Sequence, residues 1–145
     1  MYELVFSKKR VKVSSDHQKM KTEIARVFPG NEKGYDRFLK KEKQRFERMY
    51  PCLQKEYSSP TAYLRPVFLK AIPYLSLNST IYEVLSTYFN KDLLRLTFTF
   101  QSKYLGMSAW ECPAAFAMIA YIEHKWGIDH VKGGLNKISA AMAKV

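Results

Sequence analysis

Apolar residues recur along this chain with two periods, and the change from one to the other locates most of its elements. Tyr2-Glu3-Leu4-Val5-Phe6 and Val11-Lys12-Val13 alternate apolar and polar positions on either side of a basic turn, which predicts two short strands of a hairpin. From His17 the period lengthens: Met20, Ile24 and Val27 or Phe28 fall on one helical face, and Ser15 or Asp16 stands where a cap is needed. PGNEKG reads as a loop. Beyond it Tyr35, Phe38, Leu39, Phe46, Met49, Tyr50, Leu53 and Tyr57 keep helical spacing with basic residues between them, predicting one long amphipathic helix kinked at Pro51.

Between Ser59 and Leu77 the apolar face is broader. Leu64, Val67, Phe68, Ala71, Ile72 and Leu75 share one side of a helix, Tyr63 and Tyr74 stand near its ends, and Arg65 and Lys70 are its charges. Such a face can lie in a membrane interface or pack on the domain, and amphipathicity alone does not separate the two. Two S/T-x-x-E capping boxes, Thr80 to Glu83 and Ser108 to Glu111, predict helix starts. Asp92 to Tyr104, with Leu93, Leu94, Leu96, Phe98 and Phe100, predicts a buried helix to which Thr97 and Thr99 lend some strand character. A helix from Ala109 is expected to stop near Trp126 at Gly127, followed by a short strand from Ile128 to Lys132 and a Gly133-Gly134 turn. The last helical pattern, Leu135, Ile138 and Met142, reaches Val145 without a capping Gly or Asn and reads as cut; Met1, directly before a strand, reads as an added start. The sum is a mostly helical α+β unit with a small antiparallel sheet, to which the Ile128 segment is a candidate third strand.

At 145 residues, 47% hydrophobic and 14% aromatic, the chain has the apolar content for one buried core. Cys52 and Cys112 are far apart, with no Cys/His cluster, so neither a disulfide framework nor a metal site is indicated. No apolar run approaches the roughly 18 residues that cross a bilayer. The balance of 24 Lys and Arg against 13 Asp and Glu leaves a charge of +11, concentrated at Lys8-Lys9-Arg10-Lys12, at Lys19 and Lys21, and from Lys40 to Arg48. A surface like that attracts polyanions. No recognition helix, stacking platform or zinc finger accompanies it, so nucleic acid is not an expected partner; solvated helix faces come first and anionic lipid next. None of the six glycines has the G-x-G-x-x-G spacing of a dinucleotide-binding turn. His17, His124 and His130 are isolated in sequence, and no residue stands out as a catalytic acid or base.

The run LTFTFQSKYLGMSAWECPAAFAMIAYIEHKWGIDHVKGGLNKISAAMAKV, Leu96 to Val145, resembles the middle of the carotenoid desaturases of the phytoene and diapophytoene (dehydrosqualene) type. The resemblance extends more weakly through FPGNEKGYDRFLKK to YELVF. It implies an FAD-dependent enzyme that removes hydrogen from a long isoprenoid hydrocarbon. This chain would then be its substrate-binding, membrane-docking part, inactive and without FAD by itself because the dinucleotide domain and the segment completing the cofactor site are absent. The resemblance puts Gly133, Gly134 and His130 beside the flavin ring, although the family text near His-Pro-aliphatic is here His130-Val131-Lys132. The oxidised flavin accepts the hydride, so the protein supplies chiefly an apolar tunnel, for which Phe98, Phe100, Tyr104, Leu105, Trp110, Phe116 and Ile119 are candidates; each fits plain core equally well. Membrane-facing candidates are Leu64, Val67, Phe68, Ala71, Ile72 and Leu75, with a cytoplasmic, peripheral location on the inner face of the cell membrane. The alternative from another class is a non-catalytic basic amphipathic module docking on anionic membranes.

Overall fold

Alternation in the sequence becomes pairing at the amino end. In the computed structural model, which describes residues 2–144, β1 (Tyr2–Val5) and β2 (Arg10–Val13) form a two-stranded antiparallel sheet with Tyr2 opposite Val13 and Leu4 opposite Val11. Val11 and Val13 are buried, while Arg10 and Lys12 face water. Met1 and Val145, on which the added start and the uncapped end rest, lie outside the described residues.

Helix α1 (His17–Val27) starts at Asp16, whose carboxylate accepts the Lys19 amide at 3.0 Å, and buries Met20, Ile24 and Val27 as the spacing predicts. Helix α2 (Glu32–Leu53) begins one turn earlier and ends one turn sooner than its apolar pattern suggests, carrying Pro51 inside its last turn. Gly34 therefore belongs to the first turn of α2 and not to a loop. A 3₁₀ turn (Pro60–Leu64) leads into α3 (Pro66–Leu75), which packs along α2 around Met49, Cys52 and Ala71.

The capping box at Thr80 is fully made. Its hydroxyl accepts the Glu83 amide at 3.2 Å, the Glu83 carboxylate accepts the Thr80 amide at 2.8 Å, and α4 (Ile81–Ser86) follows. The helix expected from Asp92 to Tyr104 is instead α5 (Asp92–Thr97) and a separate 3₁₀ turn (Phe100–Leu105). The threonines that gave this stretch its mixed character sit at the break: Thr97 and Thr99 hydroxyls donate back to the Leu93 and Leu96 carbonyls at 2.8 and 2.9 Å.

The second capping box is a correction. The Ser108 hydroxyl does donate to Glu111 at 2.6 Å, but the turn goes no further than Cys112, because Pro113 has no amide hydrogen with which to continue it. Instead Pro113 bridges to Thr80, and the flanking amides cross over: Ile81 donates to the Cys112 carbonyl and Ala114 to that of Ser79, at 2.8 and 2.9 Å. The helix proper, α6 (Ala117–Trp126), starts after a 3₁₀ turn (Ala114–Phe116) and stops at Gly127, φ 87°. Ile128 to Lys132 is irregular and pairs with no strand among the described residues, so the sheet stays two-stranded. Gly133 and Gly134 turn the chain into α7 (Asn136–Met142), none of whose residues is buried.

The main core is aromatic. Phe98 stacks on Phe89 and on His124, both at 4.7 Å between ring centres, and meets Phe38 edge-on at 5.0 Å. His124 is 3% exposed, and burial pushes its pKa down to about 4. The native state thus resists a proton that the unfolded chain takes up near pH 6.5. Stability is full above that pH and is lost as pH falls towards 4, by about 3 kcal/mol. Urea unfolding of wild type and His124→Gln from pH 7 to 4 checks this: the wild-type midpoint should fall relative to that of the variant, and parallel curves would refute it.

Candidate functional site

The hairpin and the turn after α5 come together because Tyr2 and Phe100 stack at 5.1 Å, with Gln101 beneath them donating to the Tyr2 hydroxyl at 3.2 Å and to Glu123 at 2.5 Å. Glu123 and Gln101 are buried, so this polar contact locks the hairpin onto α6 from inside. Burial and the nearby Glu123 charge together hold the Tyr2 phenol well above its ordinary pKa, so its proton stays on.

Above that lock runs a groove of about 380 Å³. One wall is Leu4, Val5 and Phe6 of the hairpin; the other is Leu96 and Phe100, with Met107 and Trp110 closing the end. Trp110 packs on Tyr82 at 5.3 Å yet remains 60% exposed, and the Lys103 ammonium lies 4.4 Å from the Phe100 ring centre. Of the hydroxyls along the groove, Thr99 is committed to the Leu96 carbonyl and Ser108 to Glu111. The Ser102 side chain and the Lys103 ammonium also line it, so the groove is an apolar channel with one cation and one further hydroxyl on its wall.

Two of the seven tunnel candidates, Phe100 and Trp110, line this groove. Tyr104 and Leu105 follow on the same 3₁₀ turn and are exposed, Tyr104 meeting Phe100 edge-on at 6.4 Å. Phe98 is core, Phe116 is half-buried against the core, and Ile119 is half-buried on α6. Leu4, Val5, Phe6, Leu96 and Met107 were missed by the sequence reading. Of the three hairpin residues only Val5 is on the outward side, whereas Leu4 and Phe6 pack against the core, so alternation along the strand does not single out these three.

The candidate membrane face divides. Ala71 is 1% exposed, and Val67, Phe68 and Leu75 pack beside it against α2, so these four belong to the interior of the α2–α3 contact. Leu64 and Ile72 do face outward, joined by Tyr63, Leu69 and Leu77. Arg65 and Lys70 are also exposed on this segment.

Gly133 and Gly134 adopt φ of 90° and 92°, and the Gly134 amide donates to the Val131 carbonyl at 2.9 Å. Their φ values are ones that side-chain-bearing residues rarely adopt, and His130 and Lys132 beside them are exposed. The Lys137 side chain lies beside Gly133 and the Asn136 side chain beside Gly134, where a Cβ would meet them at 3.3 and 3.2 Å. Among the described residues the Gly133-Gly134 pair leads into α7, and no G-x-G-x-x-G turn accompanies it. No helix is long and apolar enough to cross a membrane, and no group of metal-ligating side chains converges, again among the described residues.

No protein-family model matches the chain, and no solved structure matches it. Curated proteins do. The chain is 48% identical over 145 residues, its full length, to a 4,4'-diapophytoene desaturase (4,4'-diapolycopene-forming) of Methylomonas sp, covering 28% of that protein. It is 34% identical over 137 residues, 92% of the chain and 22% of the relative, to a phytoene desaturase of Cercospora nicotianae. It is 31% identical over 113 residues, 77% of the chain and 23% of the relative, to a 4,4'-diapolycopen-4-al dehydrogenase of Metabacillus indicus. The chain thus spans about a quarter of the length of the relatives it matches.

Proposed function

The chain belongs to the carotenoid desaturase family, and on that footing we propose that it is the substrate-binding portion of an FAD-dependent enzyme that removes hydrogen from a long isoprenoid hydrocarbon of the phytoene or diapophytoene class. The observation that supports this reading best is the groove between the hairpin and the Phe100 turn, a channel walled mainly by apolar side chains. Bound FAD would supply the oxidation. The residues described here would grip and orient the chain and keep water from it. FAD would be held mainly by sequence outside this chain, with Gly133, Gly134 and His130 contributing at most one edge of the ring site.

A hydrocarbon of this kind resides in the bilayer, so the outward face of Tyr63, Leu64, Leu69, Ile72 and Leu77 would dock on the membrane, with Arg65 and Lys70 at the headgroups. The location proposed is peripheral, on the cytoplasmic side. A second reading, a non-catalytic module that docks on anionic membrane, draws on the same face and on the charge of +11.

Phe100→Ala combined with Trp110→Ala tests the first reading in the flavin-loaded parent enzyme. Loss of two aromatic contacts should lower turnover of the hydrocarbon by about tenfold or more, with flavin content unchanged. Unchanged turnover would remove the groove from the substrate path. Ile72→Glu with Leu64→Glu should instead reduce sedimentation with liposomes and leave turnover in detergent intact.

A further inference from the structure

A second cleft, of about 480 Å³, lies where the start of α1, the middle of α2 and the end of α6 meet, away from the hairpin groove. Its apolar wall is Leu39 and Tyr121, and the exposed lysines Lys40, Lys43 and Lys125 surround it. Lys43 shares its charge with Glu47 at 3.6 Å, whereas Lys40 and Lys125 form no ion pair among the described residues. His17, also on the lining, is engaged with Asp36 at 3.0 Å.

His124 completes the lining, and it is here that the cleft differs from a patch of surface lysines. Its Nδ1 lies 3.3 Å from the Tyr35 hydroxyl on the core side. In the tautomer where the Tyr35 hydroxyl donates to Nδ1, the ring proton sits on Nε2. Nε2 is buried and has no hydrogen-bond partner; the Ser14 backbone carbonyl lies near the ring without completing one. A buried donor left unpaired is costly, and a ligand oxygen in the cleft would relieve it. The Ser15 hydroxyl, on the lining and exposed, offers a second neutral donor.

We propose that this cleft binds an anionic amphiphile, a phosphate monoester bearing a single hydrocarbon chain, with its head on Lys40, Lys125 and His124 Nε2 and its first methylenes on Leu39 and Tyr121. Ammonium groups and a buried N–H select an anion over a neutral head, and the apolar wall selects a chain-bearing anion over a bare one.

Titration of the protein with octyl phosphate, inorganic phosphate and octyl glucoside, followed by calorimetry and by the ring resonances of His124, tests this. Octyl phosphate should bind saturably, shift the His124 signals and bind about tenfold or more tightly than either control. Lys40→Gln with Lys125→Gln, both exposed and tolerant of change, should weaken octyl phosphate by about tenfold and leave octyl glucoside unaffected. Equal affinity for inorganic phosphate would reduce the site to surface charge, and equal affinity for octyl glucoside would reduce it to an apolar patch. Binding that leaves His124 unmoved would place the ligand elsewhere; any of these results overturns the proposal.

Discussion

Arg45→Met is expected to destabilise the protein by about 3–5 kcal/mol, because it leaves a carboxylate buried and unpaired. Glu42 is wholly buried, and Arg45 Nε donates to its Oε2 at 2.7 Å. The same guanidinium donates to the Tyr74 carbonyl and, at 3.1 Å, to the Ser76 hydroxyl, while the Tyr88 hydroxyl donates to the other Glu42 oxygen at 3.1 Å. One pair therefore ties α2 to the end of α3 and to the segment after α4. Even with Arg45 present, desolvation holds the Glu42 carboxyl above its ordinary pKa. Removing the cation raises it further, so the deficit of Arg45→Met should be largest at neutral pH and shrink as pH falls to the point where the unfolded carboxyl also takes up its proton. Adding Glu42→Gln to Arg45→Met should recover most of the loss. Urea midpoints at pH 7 and pH 4 decide the matter, and a single variant within about 1 kcal/mol of wild type would mean that the pair is not buried in solution.

Gly34→Ala should cost about 2–3 kcal/mol although alanine is the better helix former by about 1 kcal/mol. An added Cβ runs into the Tyr88 carbonyl oxygen and touches the Phe89 ring, and a backbone atom in the interior cannot swing aside. The contact is reinforced beside it, where the Asn31 side chain accepts the Asn90 amide at 3.0 Å and donates to the Phe28 carbonyl at 3.2 Å. Thermal unfolding of the variant measures the balance; a gain in stability would show that α2 stands farther from Tyr88 than described.

Those two expectations also mark where sequence reasoning stops. Local rules found the elements they govern: alternation gave the hairpin, Ser15 or Asp16 and the Thr80 box gave two helix starts, the first settled at Asp16, and Gly127 gave a stop. Ser108-x-x-Glu111 satisfied the same rule as Thr80-x-x-Glu83, yet failed to start a helix because Pro113 intervened, so the local hydrogen bond formed without its consequence. Gly34 read as loop because its reason is tertiary, the approach of a segment more than fifty residues away. The groove was half legible. Phe100 and Trp110 could be picked by size and place, but the opposite wall, Leu4 to Phe6, depends on Tyr2 stacking over Phe100, which no periodicity reveals. On α3, amphipathicity measured one broad apolar side, whereas packing against α2 claimed its middle and left only Leu64 and Ile72 of the six candidates outward.

The most direct measurement is uptake of a long isoprenoid hydrocarbon by the Trp126→Phe protein, in which Trp110 is the remaining tryptophan. A hydrocarbon of carotenoid-precursor length should change Trp110 emission saturably, at one molecule per chain, independently of salt, and better than a short alkane. No response, or one that requires anionic lipid and vanishes as salt rises, would contradict a substrate groove and leave the chain as a membrane-surface module.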